Sequence, residues 1–197
     1  MRWDEVDNFL LDEAAADLEE AGDIRPCFVA FRGEEALFVA FLRSFDKGRY
    51  ADPIIELLAL AAPLGADRLA LSLGGRAWSL DDPIAPVLPG VGDLRQRVLC
   101  TVSVDGAGAR VTSSVGVRPF TRAAGGAVAW QPTVDGGRGE TWIAGALELA
   151  VERRANLRAS ERDIRRQARR CAALGHLLAF ADDVAHELGL GDCSAAR

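Results

Sequence analysis

The densest chemistry in the sequence is cationic. Arg153, Arg154, Arg158, Arg162, Arg165, Arg166, Arg169 and Arg170 fall within residues 151–170 against three acids, a local charge of +5. Guanidinium groups keep their charge at physiological pH and pair two-pronged with carboxylates and phosphates. At helical spacing, Arg158, Arg162, Arg165, Arg166, Arg169 and Arg170 cover about 140° of one face. Such a stripe suits a polyanion. No aromatic residues are interleaved to stack on bases and no nucleic-acid motif is present, so nucleic acid is not the expected partner. The opposite charge lies in the same chain: residues 1–24 hold nine acids and one arginine, a charge of −8. The stripe is therefore expected to be solvated surface, or to meet the acidic segment within a subunit or across a dimer.

A second group could line a cleft. Asp46, Lys47 (the only lysine) and Arg49 stand just before a helix start, and Trp78, Asp81 and Asp82 follow a strand. A cation, an aromatic ring and paired acids are the ingredients of a small-molecule pocket. The alternative is a loop leading into a helix and a tryptophan at a sheet edge. Serines 44, 79, 113 and 114 offer hydroxyls, but no G-x-S-x-G elbow accompanies them. No catalytic residue is assigned.

Histidine and cysteine chemistry is sparse. His176 and His186 are the only histidines, both expected on the last helix; Asp182 and Asp183 precede His186 by four and three residues. A surface histidine serving helix electrostatics is the expected role. Cys171 sits five residues before His176, which rotates it by about 140° on a helix and spoils a shared metal site. The four cysteines form no C-x-x-C, and all are expected reduced, with Cys27 and Cys100 in the core. Glycine pairs occur at 74–75, 90–92, 106–108, 125–126 and 136–139, yet none forms a GxGxxG or GxxxxGK[ST] phosphate loop. No metal and no cofactor is expected.

These groups must be positioned by the elements around them. Val6, Phe9, Leu10, Ala14 and Leu18 recur at helical spacing, giving a helix over about residues 3–21, capped by Asp4 and ended by Gly22. Cys27–Arg32 and Ala36–Leu42 read as a central hairpin around Gly33-Glu34. A buried helix starts with Asp52 as cap and Pro53 at its first position, and stops at Gly65. Arg68–Leu73 is a strand, Gly74-Gly75 a turn or bulge, and Ala77–Leu80 a second extended piece. Residues 81–94 hold three prolines and two glycines and form a loop. Gln96–Val104 and Ala109–Val117 alternate as the clearest hairpin, followed by a short strand at Val128–Trp130. Trp142–Leu157 and Glu161–Leu188 read as helices, the second capped by Ser160 with Asp163 and bent or broken at Gly175.

The order α-β-β-α-β-β-β-α-α defines an α+β fold with an antiparallel sheet of about five to six strands flanked by helices and a C-terminal helical pair. That order of elements resembles the roadblock/profilin-like architecture. Residues 1–140 form the α+β domain, and 141–197 a helical segment packed on it or on a partner. The chain has 197 residues, 49% hydrophobic and 26% charged, with net charge −6. This balance fits a compact cytoplasmic protein and opposes general nucleic-acid or anionic-membrane binding. No apolar run reaches the length of a membrane span, and no signal peptide is evident.

The expected function is a non-catalytic interaction or regulatory module, partnered by a second copy of itself or another protein. The alternatives are an enzyme with a pocket near residues 44–52 and 78–82, and a nucleic-acid binder using the Arg158–Arg170 helix.

Overall fold

The computed structural model describes residues 2–46, 49–77, 95–123, 126–135, 141–157 and 159–190. Its chain order is helix α1 (Trp3–Glu20), strands β1 (Cys27–Arg32) and β2 (Glu35–Phe41), helix α2 (Ala51–Ala61), then strands β3 (Arg68–Ala77), β4 (Gln96–Asp105), β5 (Thr112–Arg122), β6 (Val128–Trp130) and β7 (Val134–Asp135). Helix α3 (Thr141–Arg153), a 3₁₀ turn (Arg154–Asn156), α4 (Glu161–Leu174), β8 (Leu177–Phe180) and α5 (Asp182–Glu187) follow. The expected α+β class holds. One open antiparallel sheet runs β6-β5-β4-β3-β1-β2-β8, with β7 also paired to β5. No helix among the described residues is long and apolar enough to cross a membrane.

Alternation along β1 sets the two layers. Phe28 and Ala30 point into the main core with Ile54, Leu57, Ile143, Leu147, Ile164 and Val184, so α2, α3, α4 and α5 cover that face. Cys27, Val29 and Phe31 point the other way, against Val6 and Leu10 of α1. Farther along α1, Ala14 and Leu18 meet Leu99 and Phe120 of the same face. A strand with both faces covered needs apolar residues at nearly every position, which is what β1 has. The acidic helix and the arginine helix therefore lie on opposite faces of the sheet. This removes the expected contact between them within one subunit.

Several local expectations change. The cap of α1 is Arg2, whose backbone N–H donates to the Glu5 carboxylate at 2.7 Å, and Asp4 sits inside the first turn. Asp17, one of the nine acids of residues 1–24, is buried. It accepts from the Arg25 backbone N–H at 2.9 Å and the Arg25 guanidinium at 2.7 Å, which ties the end of α1 to the start of β1. Tyr50, not Asp52, caps α2; Pro53 is one of the first residues of the helix, where its missing N–H still loses no helical bond. Gly74-Gly75 does not turn the chain. β3 continues through it, pairing with β4 as far as Ala77↔Gln96, and a side chain at Gly74 would crowd Ile24 at 3.1 Å. The β4–β5 turn is longer than expected, since Asp105 pairs with Thr112.

The largest correction is at the C-terminal end. The single helix expected over Glu161–Leu188 is three elements. Ser160 does cap α4, its Oγ accepting from the Asp163 N–H. Gly175 then adopts φ +101°, a left-handed conformation suited to glycine, and stops the helix. Leu177–Phe180 crosses to pair with β2 and adds an edge strand to the sheet. Residues 78–94, including the expected extended piece and loop, and most of the glycine-rich loop at 135–139, lie outside the described residues.

Candidate functional site

Helix α4 carries its arginines on the side away from the sheet. Ile164, Ala168 and Cys171 are its buried residues, and Arg162, Arg166, Arg169 and Arg170 are exposed. Within each set the residues recur at spacings of three and four, so the helix must present cations outward once its apolar residues are buried. Among the described residues, Asp163 is the only carboxylate ion-paired to any of these four, through Arg166 at 2.9 Å. Arg165 differs from its neighbours. It is half-buried beside Gly189, at the end of α5, and its Nε has no hydrogen-bond partner among the described residues. Arg158 lies outside the described residues.

The cationic face borders an open groove between α2 and α4, with a volume of about 320 Å³. Its floor and walls come from Ala59, Pro63, Ala159 and Ile164, with Asp163, Arg166, Gln167 and Arg170 along the α4 side. The Gln167 amide donates to the Glu56 carbonyl at 3.1 Å, and the Cys171 thiol to the same carbonyl at 3.5 Å. Ala59 and Pro63 at the end of α2 lie with Ala159 and Asp163 at the start of α4, so the two helices run in opposite senses, with Glu56 nearer the Cys171 end of α4.

At that end lies a polar cluster that the sequence reading did not assemble. Glu56 accepts from the Arg43 guanidinium at 2.8 and 2.9 Å and from His176 Nε2 at 2.8 Å. The Arg43 backbone N–H donates to His176 Nδ1 at 3.3 Å. A backbone N–H can only donate, so Nδ1 is the bare nitrogen and Nε2 carries the proton. The imidazole is neutral, with both nitrogens engaged. Burial pushes its pKa below the ordinary 6.5, and the Arg43 charge adds to that, against the pull of Glu56. Bonding to Arg43 holds the Glu56 carboxyl down to about 2, with His176 assisting and burial opposing. The Cys171 thiol is pushed up to about 11 by burial, far from the thiolate a nucleophile requires. This is a clasp joining the β2–α2 link, α2 and the α4–β8 turn. His176 has no spare lone pair for a substrate proton.

The other predicted positions separate. Of the cleft group, Asp46 and Arg49 are exposed and share a turn, with the Arg49 N–H donating to the Asp46 carbonyl at 2.9 Å. Lys47, Trp78, Asp81 and Asp82 lie outside the described residues. The structure instead gathers aromatic rings beside this loop. Phe45 lies 6.3 Å from Tyr50, and Tyr50 lies 5.2 Å from Trp142 of α3. His186 is exposed near the end of α5, whereas His176 is buried, contrary to its expected surface position. Ser113 donates to Glu148 of α3, and Ser114 pairs with Ser103 at 2.7 Å on the opposite face of the sheet. No group of three metal-ligating side chains occurs among the described residues.

The fold and site define a mixed α+β chain with one antiparallel sheet and a cationic helix flanking an open groove. Comparison with known proteins adds no relative: no family model, curated protein or solved structure matches the chain.

Proposed function

We propose that this chain is a non-catalytic interaction module of the cytoplasm that docks an acidic partner protein on helix α4. The observation carrying this reading is the outward set Arg162, Arg166, Arg169 and Arg170, matched among the described residues by one ion-paired carboxylate. Cations left without internal partners raise the local potential and steer oppositely charged surfaces to this face. Ala59, Pro63 and Ile164 in the groove beside them add some apolar contact to a lining that is otherwise mostly polar. The cytoplasmic placement is supported by Cys27 and Cys171, buried among the described residues as free thiols, the normal state in a reducing compartment. A second copy is a poorer partner through these charges. Its acidic helix and its arginine helix sit on opposite faces, so pairing one with the other is head-to-tail rather than two-fold.

The test is binding of a fluorescent glutamate-rich peptide by anisotropy at two salt concentrations, for the parent and for Arg162→Glu/Arg169→Glu/Arg170→Glu. The parent should bind more tightly at low salt, and the variant should lose about tenfold in affinity or more. Equal binding by both proteins would remove α4 as the docking element.

A further inference from the structure

The exposed side of the helical layer is not uniformly cationic. Across the sheet the layer runs α3, α2, α4, because α2 packs against both of the others. On α2, Ile55 is 56% exposed, and Ala59 is also exposed one turn further on. On α3, Trp142 is 40% and Leu149 45% exposed. They are seven residues apart, with exposed Gly145 between them, so they share one stripe. An apolar band on α3 and α2 thus meets the arginine band on α4, with the groove between α2 and α4 as their junction. Large apolar side chains exposed on neighbouring helices beside a set of like charges point to an interaction site.

We infer that this composite face receives an amphipathic helix of a second protein, aliphatic on one side and acidic on the adjoining side. The inference rests on the docking role of α4 and specifies its partner. Helix-in-groove recognition uses apolar anchors at i, i+3, i+4 and i+7, and an aliphatic stripe lying over Ile55, Trp142 and Leu149 would bring an adjoining acidic stripe against Arg166 and Arg170. Charge complementarity therefore selects both the partner's sign and its rotation. A second copy does not meet this description. Its acidic helix α1 already spends its apolar side, Val6 and Leu10, on its own sheet, leaving an outward face of acids with Asn8 and Ala16 and no large exposed apolar side chain. An anionic bilayer fits less well, because the Trp142 ring lies against Tyr50 and the groove is recessed, whereas a bilayer takes up protruding side chains. The chain's net charge of −6 also opposes it.

The experiment compares two labelled synthetic helices of about 18 residues, five turns, by anisotropy with the full chain. One carries a leucine stripe beside a glutamate stripe; the other keeps every glutamate and replaces leucine with glutamine. The first should bind about tenfold more tightly. Ile55→Glu and Leu149→Glu, both at exposed positions and each checked for an unchanged melting temperature, should abolish that preference. If the two helices bind equally and these variants change nothing, while the arginine-to-glutamate variant weakens both, the apolar band has no part and only the charge reading survives. If neither helix binds, both readings fall. Two further results would overturn the inference in favour of another occupant. One is sedimentation of the free chain as a dimer that Leu149→Glu dissociates. The other is flotation with phosphatidylserine vesicles that Leu149→Glu abolishes.

Discussion

His176 shows how a residue's role can be set by partners distant in sequence. Its imidazole is fixed by Arg43 and by Glu56, 120 residues away, and no local pattern around either histidine announces this. In the sequence, His176 is one helix position among many; in the structure, the break at Gly175 turns it inward. The clasp makes stability depend on pH with a determinate sign. A buried imidazole whose folded pKa is lowered is protonated first in the unfolded chain. Its contribution is complete above about pH 6.5 and is lost progressively as pH falls below that value toward the lowered folded one. Glu56, held down to about 2 from 4.5, contributes above pH 4.5 and loses its contribution as pH falls toward 2. Acid therefore destabilises at both steps. Urea midpoints at pH 7.5 and 5.5 should differ in the parent, and His176→Gln should shrink that difference, by at most about 1.4 kcal/mol. Equal pH slopes in parent and variant would contradict the neutral, doubly bonded imidazole. Cysteine reactivity belongs to the same scale. Burial pushes the Cys27 thiol up to about 12 and the Cys171 thiol up to about 11, so site-mapped alkylation at pH 8 should modify both far more slowly in folded than in urea-unfolded protein.

Elements with a strong period were legible in the sequence. The α1 stripe, the β1–β2 hairpin and the buried helix α2 follow from apolar spacing alone, since each meets the sheet with a pattern only one geometry can bury. Leu57 is fully buried and Leu58 nearly so, and Leu57→Ala should cost about 2–5 kcal/mol in urea melts. A loss under about 1 kcal/mol would be incompatible with this packing. The start of α4 at Ser160 and its break at Gly175 were legible, but β8 was not, because Leu177–Phe180 is too short and too apolar to be told from a helix segment by period. What makes it a strand is the edge of β2, a tertiary partner with no local trace. The hinge between the two forms is Gly175. Ala there would meet only Arg43 Cβ at 3.6 Å, an ordinary contact. Any loss in Gly175→Ala therefore comes from the left-handed backbone, about 1–2 kcal/mol by thermal or urea melts. The groove was likewise invisible, since it exists only where α2 and α4 lie side by side; its arginines were read from their spacing, and the α2 residues that face them, Ala59 and Pro63, were not.

For the whole molecule, the separation of charge by the sheet matters more than its net value. An acidic helix covers one face and a cationic helix stands on the other, so reversing the arginines should leave the fold's own stability untouched. Arg162→Glu/Arg169→Glu/Arg170→Glu should melt within about 2 °C of the parent even at low salt. A salt-dependent loss of stability would mean that the acidic segment reaches this face after all. The same arrangement bears on nucleic acid. Duplex DNA approaching α4 gains only a few phosphate contacts against an overall charge of −6, so no shift is expected at micromolar protein in 150 mM salt. A retarded band that fades steeply with added salt would instead support the nucleic-acid reading.

Strand β8 has a consequence for the order of synthesis. Its partner β2 leaves the ribosome more than a hundred residues before β8 does, an interval on the order of ten seconds at 5–20 residues per second. Throughout that time the nascent sheet presents β2, a strand of Ala, Leu, Phe and Val after its first residue Glu35, with one row of unpaired backbone groups. Such a row is a template for pairing with a neighbouring nascent chain. The last strand to be made is thus the one that closes the sheet's most adhesive border, and the growing polypeptide depends on some cover for that border until Leu177–Phe180 arrives.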